Sequence, residues 1–101
     1  MDTIEITEGS AATQVVLGAT MEIAMAQVLY RQLTPLLARS TALVLDAGQV
    51  LRIDTAALQT LAYFCRCARE RGIPCQWRAI SPALRQAAQS LGLTPFLFES
   101  A

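Results

Sequence analysis

The chain has 101 residues, 53% of them hydrophobic, and its eight basic and eight acidic side chains cancel. That length suits one small domain with a single core, and no apolar run approaches the roughly 18 residues of a membrane span. Zero net charge removes the positive field on which sequence-independent nucleic-acid binding depends, so neither membrane insertion nor a nucleic-acid partner is expected.

The N-terminal Met1-Asp2-Thr3-Ile4-Glu5 is acidic and lacks the basic and apolar regions of a secretory signal, which makes the cytoplasm the expected compartment. Ile4 and Ile6 flank Glu5 in the alternation of a half-buried strand. Residues 14–17 give a second strand after the turn-like Gly9-Ser10, and the two should pair as a hairpin. From about Thr20 the period becomes helical, with Met25, Leu29, Leu33 and Leu36 on one stripe, and Pro35 should end or kink that helix near Thr34. Residues 42–45 form a continuous apolar run ending in Asp46-Ala47-Gly48, the pattern of a central strand covered on both faces.

The clearest helix follows residues 50–53 and runs over 55–71, with Gly72 as its C-terminal cap and Pro74 just beyond. Leu58, Leu61, Ala62 and Cys65 form its buried stripe, widened by Ala57, Phe64 and Ala68, while Gln59, Tyr63 and Arg66 share the outer face. Residues 75–79 read as a strand with Cys75, Trp77 and Ala79 to one side. Ser81-Pro82 opens a last helix as N-cap and first turn, with Leu84, Ala87, Ala88 and Leu91 inward and Gly92 at its end. Residues 94–98 fit either an edge strand or a short helix. The order of elements is α/β, with parallel strands joined by right-handed helical crossovers.

Chemistry-bearing patterns are few. With no histidine, the usual triads and zinc sites are excluded, and no G-x-S-x-G, P-loop or G-x-G-x-x-G occurs. Cys65, Cys67 and Cys75 lack zinc spacing, and Cys65 and Cys67, two apart on a helix, do not face each other, so all three read as reduced structural thiols. Asp46 and Asp54 each end a strand-like segment, where a terminal or capping role is more ordinary than an acid–base pair. No enzyme activity, metal or cofactor is expected. Acidic Asp2, Glu5, Glu8, Glu22, Asp46 and Asp54 come before Arg66, Arg69, Arg71, Arg78 and Arg85 along the chain, which fits either a basic face or the solvated exterior of arginine-rich helices.

Thr55 stands where a helix N-terminus favours an anion such as phosphate, although a threonine there is often only a cap. The segments Val44-Leu45-Asp46-Ala47-Gly48, Val50-Leu51-Arg52-Ile53-Asp54-Thr55-Ala56-Ala57-Leu58, Arg69-Glu70-Arg71-Gly72 and Ile80-Ser81-Pro82-Ala83-Leu84 together resemble the STAS domain family. The resemblance covers most of the chain and implies one STAS-like domain over 1–101, a mixed sheet flanked by helices. It also implies a non-catalytic regulatory module that binds a nucleotide-binding protein partner.

In anti-sigma-factor antagonists of this family, the residue after the motif aspartate is phosphorylated by a partner kinase that is itself the anti-sigma factor. By position that phospho-acceptor is Thr55. The alternative is an accessory subunit of a phospholipid-trafficking ABC transporter, bound to its ATPase subunit. The wording Arg52-Ile53-Asp54-Thr55 is most similar to this lipid-asymmetry group, in which a threonine at this place helps contact the ATPase. The partner surface so implied comprises Asp54, Thr55, Ala56, Gln59, Tyr63 and Arg66; a weak homodimer is left open. Where the family commonly has glycine two residues after the hydroxyl residue, this chain has Ala57, which would add a methyl at a point of close approach.

Overall fold

The computed structural model describes residues 4–39 and 41–98. Strands Glu5–Glu8 (β1) and Ala12–Val16 (β2) form the expected antiparallel hairpin, with Ile6 opposite Val15. The helical stripe does not begin at Thr20, because Thr20–Met21 is a short strand (β3) and the helix, α1, spans Ile23–Leu33. Pro35 cannot continue an α-helix, and Thr34–Ala38 tightens into a 3-10 turn that carries Leu36 and Leu37 into the core.

Ala42–Ala47 (β4) occupies the interior of a four-stranded sheet, followed by Arg52–Ile53 (β5), Thr55–Glu70 (α2) and Cys75–Ile80 (β6). The sheet order is β1-β2-β4-β6, with β2, β4 and β6 parallel to one another and β1 antiparallel to β2, while β3 and β5 pair separately in parallel. Two right-handed crossovers stepping the same way across a sheet place both helices on one face. Leu43, Leu45 and Ala47 are therefore buried, whereas Val44 and Asp46 on the opposite face are only half-buried, so the central strand is covered on one face rather than two.

A register shift after Leu45 puts Trp77 opposite Leu45 but Ala79 opposite Asp46, leaving Arg78 as the extra residue. This bulge moves Ala79 to the face away from Cys75 and Trp77, where strict alternation had placed all three together.

α2 follows its predicted phase: Ala57, Leu58, Leu61, Ala62, Phe64, Cys65 and Ala68 are buried, and Gln59, Tyr63 and Arg66 are exposed. It ends as glycine at position 72 requires. Gly72 has φ 71°, its N–H bonds to the Arg69 carbonyl at 3.0 Å, and the Ile73 N–H bonds to that of Ala68 at 2.9 Å. The next helix, Pro82–Ser90 (α3), repeats this closure at Gly92, with Leu93 bonded back to Ala88 at 2.8 Å. Because α3 stops at Ser90, Leu91 falls at its cap and is exposed instead of joining Leu84 and Ala88 in the core.

Ser81 caps α3 by accepting the Leu84 N–H on Oγ at 3.1 Å in a buried setting. Ser81→Ala should therefore lower stability by about 1 kcal/mol, read as a fall in the denaturant midpoint at unchanged slope.

Residues Thr94–Leu97 form a short helix, α4, which decides between the two readings of that segment. It is tied down by the Trp77 indole N–H, which donates to the Leu97 carbonyl at 2.7 Å, and by the Arg69 guanidinium, which donates to the Phe96 carbonyl at 3.1 Å. Three of the five arginines from Arg66 to Arg85 have local partners. Arg66 pairs with Glu70 at 3.2 Å, Arg69 holds α4, and Arg85 lies 5.8 Å from the Phe98 ring centroid. Among the described residues no helix is long and apolar enough to cross a membrane.

Candidate functional site

The small sheet β3–β5 is what positions Thr55. Leu51 and Arg52 donate their N–H groups to the Ala19 carbonyl at 2.7 and 3.1 Å, and the Asp54 N–H donates to that of Met21 at 2.9 Å. Each strand passes through one extended acidic residue, Glu22 or Asp54, directly into a helix. Since Met21 pairs with Ile53 in a parallel ladder, the N-termini of α1 and α2 emerge side by side. The orphan N–H groups of two helices thus share one edge of the molecule.

Asp54, not Thr55, is the N-cap: its carbonyl accepts the Leu58 N–H at 2.9 Å, while its side chain makes no capping bond. Thr55 is the first helical residue. Its hydroxyl is exposed and makes no hydrogen bond among the described residues, so the capping role weighed for it does not describe its side chain. Ala57 is fully buried, and its methyl faces the core rather than an approaching partner. Asp46 sits at the end of β4, with Oδ1 accepting the Gly48 N–H at 3.0 Å, which is the strand-terminal role.

Asp54, Thr55 and Ala56 lie together at the helix origin, whereas Gln59, Tyr63 and Arg66 continue along the outer stripe of α2. At 1.5 Å per residue Arg66 is about 16 Å from Thr55, so the six residues form a strip rather than a cluster. Three neighbours escaped sequence reasoning: Ile23 and Leu51, 69% and 72% exposed beside the helix origins, and Tyr30, 53% exposed on α1. Their signal was an apolar residue out of phase with its element's buried stripe, a pattern that gains meaning only once the two helices are known to be neighbours.

A shallow groove of about 400 Å³ runs between the helices, lined by Ala26, Gln27, Tyr30, Arg31 and Thr60. The Tyr63 phenol is held above its usual pKa chiefly by the neighbouring Cys67, with smaller effects of Tyr30 and Glu70. The strip and its neighbours expose Tyr30, Tyr63 and Arg66, residue types enriched at protein–protein contacts. No group of acidic residues and cysteines suited to holding a metal ion occurs among the described residues.

A protein-family model described as "Mlab, STAS domain" matches residues 4–98. The chain belongs to the STAS domain family. Its fold is shared with an anti-sigma factor antagonist from Mycobacterium paratuberculosis at TM-score 0.76 and 21% identity, over 97% of this chain and 86% of that one. It is likewise similar to the anti-sigma factor antagonist SpoIIAA in its unphosphorylated form, at TM-score 0.77 and 10% identity over 98% and 89% of the two chains. The phosphorylated form of SpoIIAA, described as a Bacillus cell fate determinant, aligns at TM-score 0.72 and 10% identity over 98% and 92%. No match was found among curated proteins. In this STAS domain the mixed sheet, the helices on one face and the exposed hydroxyl at the origin of α2 are the features from which a function must be built.

Proposed function

We propose that this STAS domain is a non-catalytic regulatory module that docks on a nucleotide-binding protein through the strip from Asp54 to Arg66, with Thr55 at the critical end. The observation that carries the reading is the exposed, unbonded Thr55 hydroxyl at a helix origin flanked by exposed Ile23 and Leu51. A phosphate on Thr55 would add about −1.5 to −2 charges where the helix dipole tolerates them, but in the middle of a contact that must be desolvated. Phosphorylation would thus dissolve the complex without unfolding the module.

Two partners fit this mechanism. A kinase-type anti-sigma factor is supported by the likeness of fold to anti-sigma factor antagonists and by the free hydroxyl, which such a partner would phosphorylate. An ABC-transporter ATPase subunit in phospholipid trafficking is supported by the wording Arg52-Ile53-Asp54-Thr55, which is most similar to the lipid-asymmetry group. In that setting Thr55 is a permanent contact. The module works in the cytoplasm in either case.

The test is titration calorimetry of the module against each purified partner. Thr55→Glu should weaken binding to the true partner by about tenfold, some 1.4 kcal/mol, because a carboxylate must be desolvated in the contact. The melting temperature of the same variant should move by no more than a few degrees, and Thr55→Ser should bind like the parent. Unchanged affinity in folded Thr55→Glu would remove this residue from the interface. Phosphate transfer from ATP onto Thr55, read by mass spectrometry, separates the kinase partner from the transporter ATPase.

A further inference from the structure

Cys65 and Cys75, ten residues apart, are brought together by two independent features of the fold. The buried stripe of α2 turns Cys65 toward the sheet, and the β4–β6 register sets Cys75 opposite Leu43 on that same covered face. Both line one cleft of about 710 Å³ between the end of α2, β6 and α4, together with Arg69, Trp77 and Phe98. Cys65 is buried, Cys75 is half-buried and reachable through the cleft, and Cys67 projects from another face of α2 beside Tyr63.

We propose that Cys65 and Cys75 form a reversible dithiol site, oxidised by hydroperoxides to a disulfide that ties the end of α2 to β6. The adjacent Cys75 pushes the Cys65 thiol well above its usual pKa and Cys65 draws Cys75 below its own, with the Arg69 guanidinium lowering both. Access assigns the roles: Cys75, half-buried and open to the cleft, is the thiol that attacks, and Cys65, buried behind it, is the thiol that resolves.

In the first step the Cys75 sulfur attacks a peroxide oxygen, the O–O bond breaks, and hydroxide leaves, giving a sulfenic acid. The Cys65 sulfur then attacks the Cys75 sulfur and the S–O bond breaks. The departing hydroxide takes the Cys65 proton as water. Overall, two thiols lose two electrons and two protons, and one hydrogen peroxide becomes two waters. The resulting link closes a short loop across the turn at Gly72 and joins the helix that carries Thr55 to an edge strand.

The arginines make the test direct, because trypsin releases the three cysteines on separate peptides, 53–66, 67–69 and 72–78. The full chain is exposed to hydrogen peroxide, free thiols are alkylated, and the digest is read by mass spectrometry. The expected result is a linked pair of 53–66 with 72–78, two hydrogens lighter than the separate peptides, with Cys67 alkylated and the link lost in dithiothreitol. The oxidised chain should also melt a few degrees higher than the reduced one, with the gain absent in Cys75→Ser. Sulfinic or sulfonic acid at Cys75 without a link, preferential oxidation of Cys67, or three thiols still open to alkylation would each overturn the assignment. Since the decisive reading uses the unsubstituted chain, instability of Cys75→Ser would not obscure it.

Discussion

Leu61→Asp is expected to leave the chain unfolded at room temperature, while Arg66→Ala, five residues along the same helix, should melt within a few degrees of the parent. Leu61 is fully buried on the face of α2 that packs into the core. Its replacement removes about 2–3 kcal/mol of apolar burial and forces a carboxyl group either to ionise without a partner or to be protonated at a further cost. Set against a total stability of about 5–15 kcal/mol, that loss exceeds what a chain of this size tolerates. Arg66 makes only a solvent-exposed pair with Glu70, one turn on, and both side chains are 62% exposed. Such a pair contributes about 0.2–0.5 kcal/mol. Far-ultraviolet circular dichroism melts of the two variants check both halves. Equal stability would mean that the inside and outside of α2 have been exchanged.

Trp77→Ala should cost about 3 kcal/mol and should loosen one end of the molecule before the rest. The ring packs edge-on against Phe98, with centroids 5.1 Å apart, and its N–H is the donor to the Leu97 carbonyl that holds the one-turn helix α4. A helix of four residues has too few internal hydrogen bonds to stand alone. Without the indole, Arg69 and the packing of Leu97 still hold it, but more weakly. Trp77→Phe keeps the aromatic contact and loses the hydrogen bond, so it should recover all but about 1 kcal/mol. Denaturant midpoints give the energies, and hydrogen exchange at the Leu97 and Phe98 amides shows whether α4 opens first. Protection at these amides equal to that of the parent would show that Trp77 does not anchor α4.

Much of this architecture can be read from spacing. The stripe through Leu58, Leu61 and Cys65 and the outward phase of Gln59, Tyr63 and Arg66 follow from the helical period, because a helix half-buried on a core has only one way to satisfy that pattern. Gly72 after Arg71 and Ser81 before Pro82 mark helix ends through purely local chemistry, a left-handed turn and a side-chain cap, and both hold in the structure. Thr55 at the origin of α2 was legible for the same reason. Its exposure comes from its place as the first residue of α2, since its phase, three residues before Leu58 and seven before Ala62, is that of the buried stripe.

Other features depend on contacts between residues far apart in sequence, which local pattern does not encode. Two-residue strands such as Thr20–Met21 have no period to detect, yet their pairing with Arg52–Ile53 sets two helix origins side by side and makes Asp54 the cap in place of Thr55. Whether residues 42–45 are covered on one face or two depends on the hand and direction of the crossovers, so the apolar run alone pointed to two covered faces where the structure has one. The bulge at Arg78 arises from the fit of β6 to β4 and reverses the face of Ala79. Cys65 and Cys75 looked unrelated in sequence; only the packing of a helix over the strand that follows it turns two structural thiols into neighbours on one cleft. What this sequence determined alone was therefore periodicity and punctuation, which are local, while tertiary packing decided which of those local surfaces meet.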